Sequence, residues 1–304
     1  MSCSVLLSLV GFLGHRFRVL SGHWRFAKSQ LLSKILFPQF QSDLPVRLRN
    51  GIIMNVDSSD FNGRQLALFG TVDPKIILTC SGLLQRGDVF LDIGANYGCV
   101  GFLCRDFVGE GGIVHLFEPQ PDLCRRIKEC IDRYGMANCV LHPIGLLDRE
   151  GSMSLVCRPG HSGVASLVRS KCPAESVLLQ VPVKSVSQYL APILADRAFG
   201  VKLDVEGAEP FLLPWLTAQR NLRFIVFEVS NIRDREGAWH VLTTKGLTVY
   251  GIARSLFRVR LELIRHPDGL LLYNDVVAVR LGTTGEPPKR GTPKTFARGM
   301  NAVL

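Results

Sequence analysis

The sequence predicts an α/β protein built on a doubly wound, mostly parallel sheet, with a β-hairpin and helical extension on its N-terminal side. Two features carry that expectation. Short apolar runs at residues 89–93, 113–117, 139–144, 201–204 and 224–229 have the length and composition of buried parallel strands, and helices fit between them. The first run also breaks at Gly94-Ala95-Asn96-Tyr97-Gly98 and resumes with Val100, Phe102, Leu103 and Phe107 at helical spacing. Strand, glycine turn and helix in that order open a nucleotide-binding βαβ unit.

Taken in order, residues 15–40 mix Arg, His, Trp, Phe and Leu and fit one or two amphipathic helices. Residues 46–49 and 52–56 flank Asn50-Gly51, a favoured hairpin dipeptide. Residues 74–84 read as a helix leading into the first sheet strand. The second strand ends in Glu118-Pro119, and a helix follows with Leu123, Ile127, Ile131 and Tyr134 on one face. The third strand closes at Gly145-Leu146-Leu147-Asp148. Residues 153–157 and 177–183 are strand-like, with a Gly/Ser-rich loop over 158–166 between them. Residues 247–252 and 270–279 supply the final strands, with Asp275 in a turn or bulge.

At 304 residues and 47% hydrophobic content, one full α/β domain with additions is expected. The chain divides into a basic N-terminal extension (1–44), a folded α/β domain (45–280) and a basic tail (281–304). The net charge of +10 places +5 in residues 1–42, which hold no acid, and +3 in residues 281–304, leaving +2 for 43–280. A balance confined to the ends argues against a nucleic-acid-binding core. It fits flexible tails, peripheral contact with an anionic membrane through the extension, or a mitochondrial transit peptide. No apolar run reaches a spanning length, and residues 5–13 lack the flanks of a secretory signal. Nine cysteines without a C-x-x-C pair suit a reducing, cytoplasmic setting and give zinc no support.

The cofactor candidates are Asp92, Gly94, Asn96, Gly98, Glu118 and Asp148. Gly94 and Gly98 remove Cβ atoms where the backbone turns sharply and a ligand approaches. Asp92, at the strand's carboxyl end, suits a cationic ligand group better than a phosphate. Asn96 stands where the dinucleotide fingerprint needs its second glycine. Glu118, 24 residues after Gly94, is placed to accept from ribose hydroxyls. Asp148 either accepts from an adenine amino group or caps the turn before Gly151. Alternation puts Lys202, Asp204 and Glu206 on one side of a strand at the sheet's carboxyl edge, where three charges must pair or meet a ligand. Glu209 reads as solvated near a helix start.

These pieces together resemble the FkbM-type family of S-adenosylmethionine-dependent methyltransferases. The match rests on Phe90 to Gly98, Phe117-Glu118-Pro119, Val181-Pro182-Val183, Lys202 to Glu209 and Phe227-Glu228-Val229, in the family's order over residues 45–280. Gly145 departs from the alanine expected there. The resemblance implies a Rossmann-like class I methyltransferase fold, S-adenosyl-L-methionine as cofactor, and methyl transfer, usually to oxygen, on sugars, lipid-linked glycans or secondary metabolites. The acceptor is then a small molecule or glycan. Its proton needs a base, for which Asp204, Glu206, Glu228, His142 and His161 are candidates, with Asp204, Glu206 and His161 in front. Alternatively, Asp204 and Glu228 hold a divalent cation that acidifies the acceptor. A nicotinamide oxidoreductase and a catalytically silent binding module are the rival classes.

Overall fold

A computed structural model describes residues 35–280, apart from 38, 169–174, 230, 231, 233, 256 and 257. The chain opens with a hairpin, β1 (Leu44–Arg47) and β2 (Ile53–Val56), then α1 (Phe61–Phe69) and α2 (Pro74–Leu83). The first wound half is β3 (Val89–Ile93), α3 (Cys99–Val108), β4 (Ile113–Phe117), α4 (Pro121–Tyr134) and β5 (Cys139–His142). A small excursion follows, β6 (Gly145–Leu147), β7 (Gly151–Cys157) and β8 (Val177–Ser185). The second half is α5 (Val186–Leu194), β9 (Phe199–Leu203), α6 (Glu209–Ala218), β10 (Leu222–Glu228), α7 (Arg235–Thr244), β11 (Leu247–Arg254), β12 (Val259–Leu263) and β13 (Asp275–Arg280).

Eight strands form the main sheet in the order β12-β11-β13-β10-β9-β3-β4-β5. The five from β10 to β5 run parallel, and β13, β11 and β12 add antiparallel pairings at one side. The fold is therefore the expected Rossmann-like α/β arrangement. Alternation along the buried strands feeds two cores. Phe90, Phe224 and Val226 pack on one face; Leu91, Ile93, Ile225 and Phe227 pack on the other. The connection order reverses between β3 and β9, and open α/β sheets hold ligands outside the carboxyl ends at such a point.

Several expectations change. The third strand does not run to Ile144. It stops at His142, before Pro143, and β6 pairs with β8 in a separate three-stranded sheet. Asp275 opens β13 rather than sitting in a turn, residues 267–272 are a 3₁₀ turn, and α1 and β12 had no sequence signal. On α4, Leu123 and Ile127 are buried, but Tyr134 is exposed, its hydroxyl accepting from Ile53 N–H at 2.7 Å. The expected helices over 15–40 lie almost wholly outside the described residues, as does the 281–304 tail. Leu36 and Phe37 are buried against Leu68 and Phe69, so packing reaches upstream of the expected boundary at residue 45. No single helix among the described residues is long and apolar enough to cross a membrane.

Candidate active site

Gly94 closes β3 with φ at +79°, and its N–H and that of Ala95 donate to Phe117 O at 3.0 and 2.9 Å. A Cβ at Gly94 would lie 1.8 Å from the Asp204 carbonyl oxygen, so only glycine lets the ends of β3 and β9 meet here. Gly94, Asn96 and Glu118 line a cavity of about 680 Å³ outside this junction. Ile93, Phe117, Ile144, Leu146 and Leu155 give it an apolar wall. Asp73, Lys75, Lys202, Asp204, Glu206 and Glu228 make another part polar.

Glu118 is 3% exposed. Its two oxygens accept from Asn96 N–H at 2.8 Å and Gln120 N–H at 2.9 Å. Burial pushes the carboxyl up to about 7, against the pull of those amides. Asn96 has φ at +52°; its Nδ2 donates to Ser162 Oγ at 2.9 Å, and its Oδ1 accepts from Asn62 at 3.3 Å.

Three expected cofactor contacts are corrected. Asp92 is fully buried and does not line the cavity. Its Oδ2 accepts from Gly101 N–H at 2.8 Å, pinning the start of α3, and its Oδ1 lies 3.2 Å from Lys202 Nζ. The cation it meets is a lysine across the strand pair, not a ligand. Gly98 is absent from the lining too. With φ at +76° it caps α3, and a Cβ there would press on Leu116 and Phe102 at 3.0 and 3.1 Å, so it serves helix–sheet packing. Asp148 follows the break after β5. Its side chain is half exposed, 3.9 Å from Arg149, and Ile144, Gly145 and Leu146 line the cavity instead.

Lys202 joins the two sides. Its Nζ donates to Gly94 O at 2.6 Å and stands 3.6 Å from Asp204. Burial alone would lower its pKa, but the Asp92 and Asp204 charges outweigh that and raise it, so it stays a cation. β9 ends at Leu203, so Asp204 and Glu206 sit on the loop beyond it rather than on a continuing strand, with Glu206 at φ +51°. That loop still brings carboxylate oxygens of Asp204, Glu206 and Glu228 within 4.8 Å of one another. Glu209, expected in solvent, is fully buried and accepts from Val205 and Gly207 N–H at 3.2 and 2.9 Å, shaping the loop. Burial pushes its carboxyl up to about 7.

His161 lines the cavity from the loop after β7, stacked on Phe61 at 4.8 Å between ring centroids, with its pKa lowered by burial. His142 points elsewhere, into a buried chain with His115 at 2.9 Å and Tyr189 at 3.0 Å. Asp73 was not among the expected residues; it lines the cavity at φ +43° from the turn before α2. Part of its surface reaches solvent, yet desolvation and the Asp204 and Asp275 charges push its carboxyl up to about 6. Lys75 pairs with Asp275 beside it. The one local cue was Pro74, a helix-start residue. Three of the four non-glycine residues with positive φ among those described line this cavity, the strained backbone expected of a working site.

The family profile for the methyltransferase FkbM domain matches residues 92–265, from the end of β3 through β12, and takes in Glu118, Asp204, Glu206 and Glu228. The chain belongs to the FkbM methyltransferase family. Solved structures it resembles include a precorrin-6y C5,15-methyltransferase from Geobacter metallireducens (14% identity, 67% of this chain and 87% of that one, TM-score 0.36). Others are an S-adenosylmethionine-dependent O-methyltransferase from Thermotoga maritima (11%, 71% and 68%, 0.38) and Aeropyrum pernix fibrillarin with natively bound S-adenosyl-L-methionine (13%, 67% and 73%, 0.37). No curated protein matches the sequence. The cofactor of this FkbM methyltransferase is S-adenosylmethionine, and the donor set suits it. A glycine-bounded turn, a carboxylate with its amides already satisfied and an apolar wall offer the ribose and the adenine what each requires.

Proposed function

We propose that this FkbM enzyme methylates a hydroxyl oxygen on a sugar, glycan or secondary metabolite, with Asp204 or Glu206 taking the acceptor's proton. The observation that supports this is one cavity lined both by the Gly94–Asn96 turn with Glu118 and by the close group Asp204, Glu206 and Glu228. Bound there, the cofactor supplies an electrophilic methyl on a sulfonium, a leaving group needing no further activation. The chain's task is alignment, worth up to ~7–11 kcal/mol, and removal of one proton, worth roughly 10²–10⁴-fold. Glu118 receives ribose hydroxyls and Asn96 fixes the turn beside it. Lys202, held by Asp92, stands 3.6 Å from Asp204 and positions it beside the cavity. His161 is the alternative base, on the opposite chain segment.

A second reading has one observation behind it: three carboxylates within 4.8 Å can share a divalent cation that lowers the acceptor's pKa. Labelled methyl donor, screened over glycans and hydroxylated metabolites with and without chelator, tests both. Methylation that survives chelation and falls in Glu206→Gln supports the base; abolition by chelator supports the cation. Cofactor binding without turnover on any acceptor points to a silent module. The acid-free residues 1–42 are proposed to attach the enzyme to an anionic membrane surface.

A further inference from the structure

β12 is an edge strand of the main sheet, and no described element pairs with its outer side. Its inner side is fully defined. It runs antiparallel to β11, with Leu261 opposite Ile252 and Glu262 opposite Gly251. Flanking this register, Ile264 N–H donates to Val249 O at 2.9 Å and Ser255 N–H donates to Arg258 O at 2.8 Å. Arg260 and Glu262, with the Arg258 carbonyl and the Ile264 N–H, therefore turn their backbone groups toward β11. By the alternation of an antiparallel ladder, those of Val259, Leu261 and Leu263 point outward.

The side chains make this edge unusual. A protected edge carries charged side chains, proline or a bulge, and β12 mixes its charges with exposed leucines. Here Leu261 and Leu263 are 40% and 48% exposed on one face. On the other, Leu271 and Leu272, 59% and 77% exposed, follow from the 3₁₀ turn whose Tyr273 hydroxyl reaches Glu262 at 2.5 Å. Arg260 and Glu262, both exposed, flank Leu261 along the strand.

We infer that β12 pairs with β12 of a second copy, antiparallel about a two-fold axis through Leu261, joining the two sheets into one. This register satisfies the outward groups and the charges together. Leu261 faces its own counterpart as a hydrogen-bonded pair, Val259 faces Leu263, and about six backbone hydrogen bonds form across the axis. Arg260 then opposes Glu262 of the other copy, twice by symmetry, at non-hydrogen-bonded positions where side chains lie closest. Centring the axis on Arg260 or Glu262 instead would set like charges face to face. The alternating Val-Arg-Leu-Glu-Leu of residues 259–263 is thus self-complementary in one register only. The leucines flanking the strand on both faces lose their exposed surface in that pairing.

Sedimentation velocity on the full chain over a concentration series tests this, with circular dichroism and cofactor affinity to confirm that each variant is folded. Wild type should be a reversible dimer. Arg260→Glu or Glu262→Arg alone should raise the dimer dissociation constant by about tenfold or more, and the double exchange Arg260→Glu/Glu262→Arg should restore it. Leu261→Lys, which sets two ammonium groups on the axis, should give monomer. A wild type that is monomeric throughout overturns the inference, including the outcome in which β12 amides resist hydrogen exchange because residues 1–34 or 281–304 of the same chain cover the edge. So does a dimer indifferent to the charge exchange.

Discussion

Glu118, the proposed ribose acceptor, is a carboxyl group nearly sealed from solvent that still lines the cavity. Its raised pKa has a direct thermodynamic sign. Below pH 4.5 both folded and unfolded forms are protonated and no penalty exists. Between 4.5 and about 7 the unfolded carboxyl ionises while the folded one keeps its proton, so its contribution to stability is lost as pH rises. The melting temperature of ligand-free Glu118→Gln should therefore gain on wild type over that interval; a constant difference would show that burial does not hold the proton. Asp92 and Asp204 separate scaffold from chemistry. Lys202 has its sealed partner in Asp92, so Asp92→Ala leaves a buried cation and should cost about 3–5 kcal/mol in chemical denaturation. Asp204 is more than a third exposed and 3.6 Å away, so Asp204→Asn should cost no more than about 1 kcal/mol. Its kcat should nevertheless fall roughly 10²–10⁴-fold, with cofactor affinity kept. Stability and affinity falling together in Asp204→Asn would make Asp204 scaffold.

Among the elements, one side of the cavity is lined by residues 161–165 around the 3₁₀ turn at 162–164, which Ser162 fastens. Ser162 N–H and Oγ donate to Asp60 at 2.6 and 3.0 Å, its Oγ accepts from Asn96, and its carbonyl accepts from Gln120 at 3.2 Å. Ser162→Ala removes the two hydroxyl bonds and keeps the others. Stopped-flow release should show cofactor affinity weakened by about 0.5–1.5 kcal/mol through faster dissociation, with melting temperature nearly unchanged. An unaltered release rate would make the loop bystander packing. This element also marks where sequence legibility stops. The glycine turn and Glu118 were readable because strand, turn and acid lie in one βαβ unit with fixed geometry. The loop 158–166 was visible only as composition, since its partners Asp60 and Asn96 are remote in sequence. Asp92 was placed correctly along its strand but misjudged in role, because the Lys202 it meets is supplied by a strand more than a hundred residues on. Asp148 does not line the cavity for a simpler reason: the third strand stops before Pro143 and the chain switches to a second sheet.

For the whole molecule, the two large cores pack on the faces of the main sheet, with smaller clusters at the second sheet and the N-terminal side, and most of the net charge lies in residues 1–34 and 281–304. If residues 1–42 attach the protein to membrane, co-sedimentation with liposomes should require anionic lipid and weaken with salt; salt-insensitive binding, or none, rejects the attachment. In the proposed mechanism the cofactor sits at the strand switch point with its ribose on Glu118. The most direct test is titration calorimetry of S-adenosylmethionine against wild type and Glu118→Gln from pH 5.5 to about 8, the range that brackets the raised pKa. Wild-type affinity should climb to pH ~7 and level off as the carboxylate becomes a full acceptor, while the folded variant should bind about 1–3 kcal/mol more weakly on that plateau and respond little to pH. Equal affinity and the same pH profile in both proteins would contradict the claim.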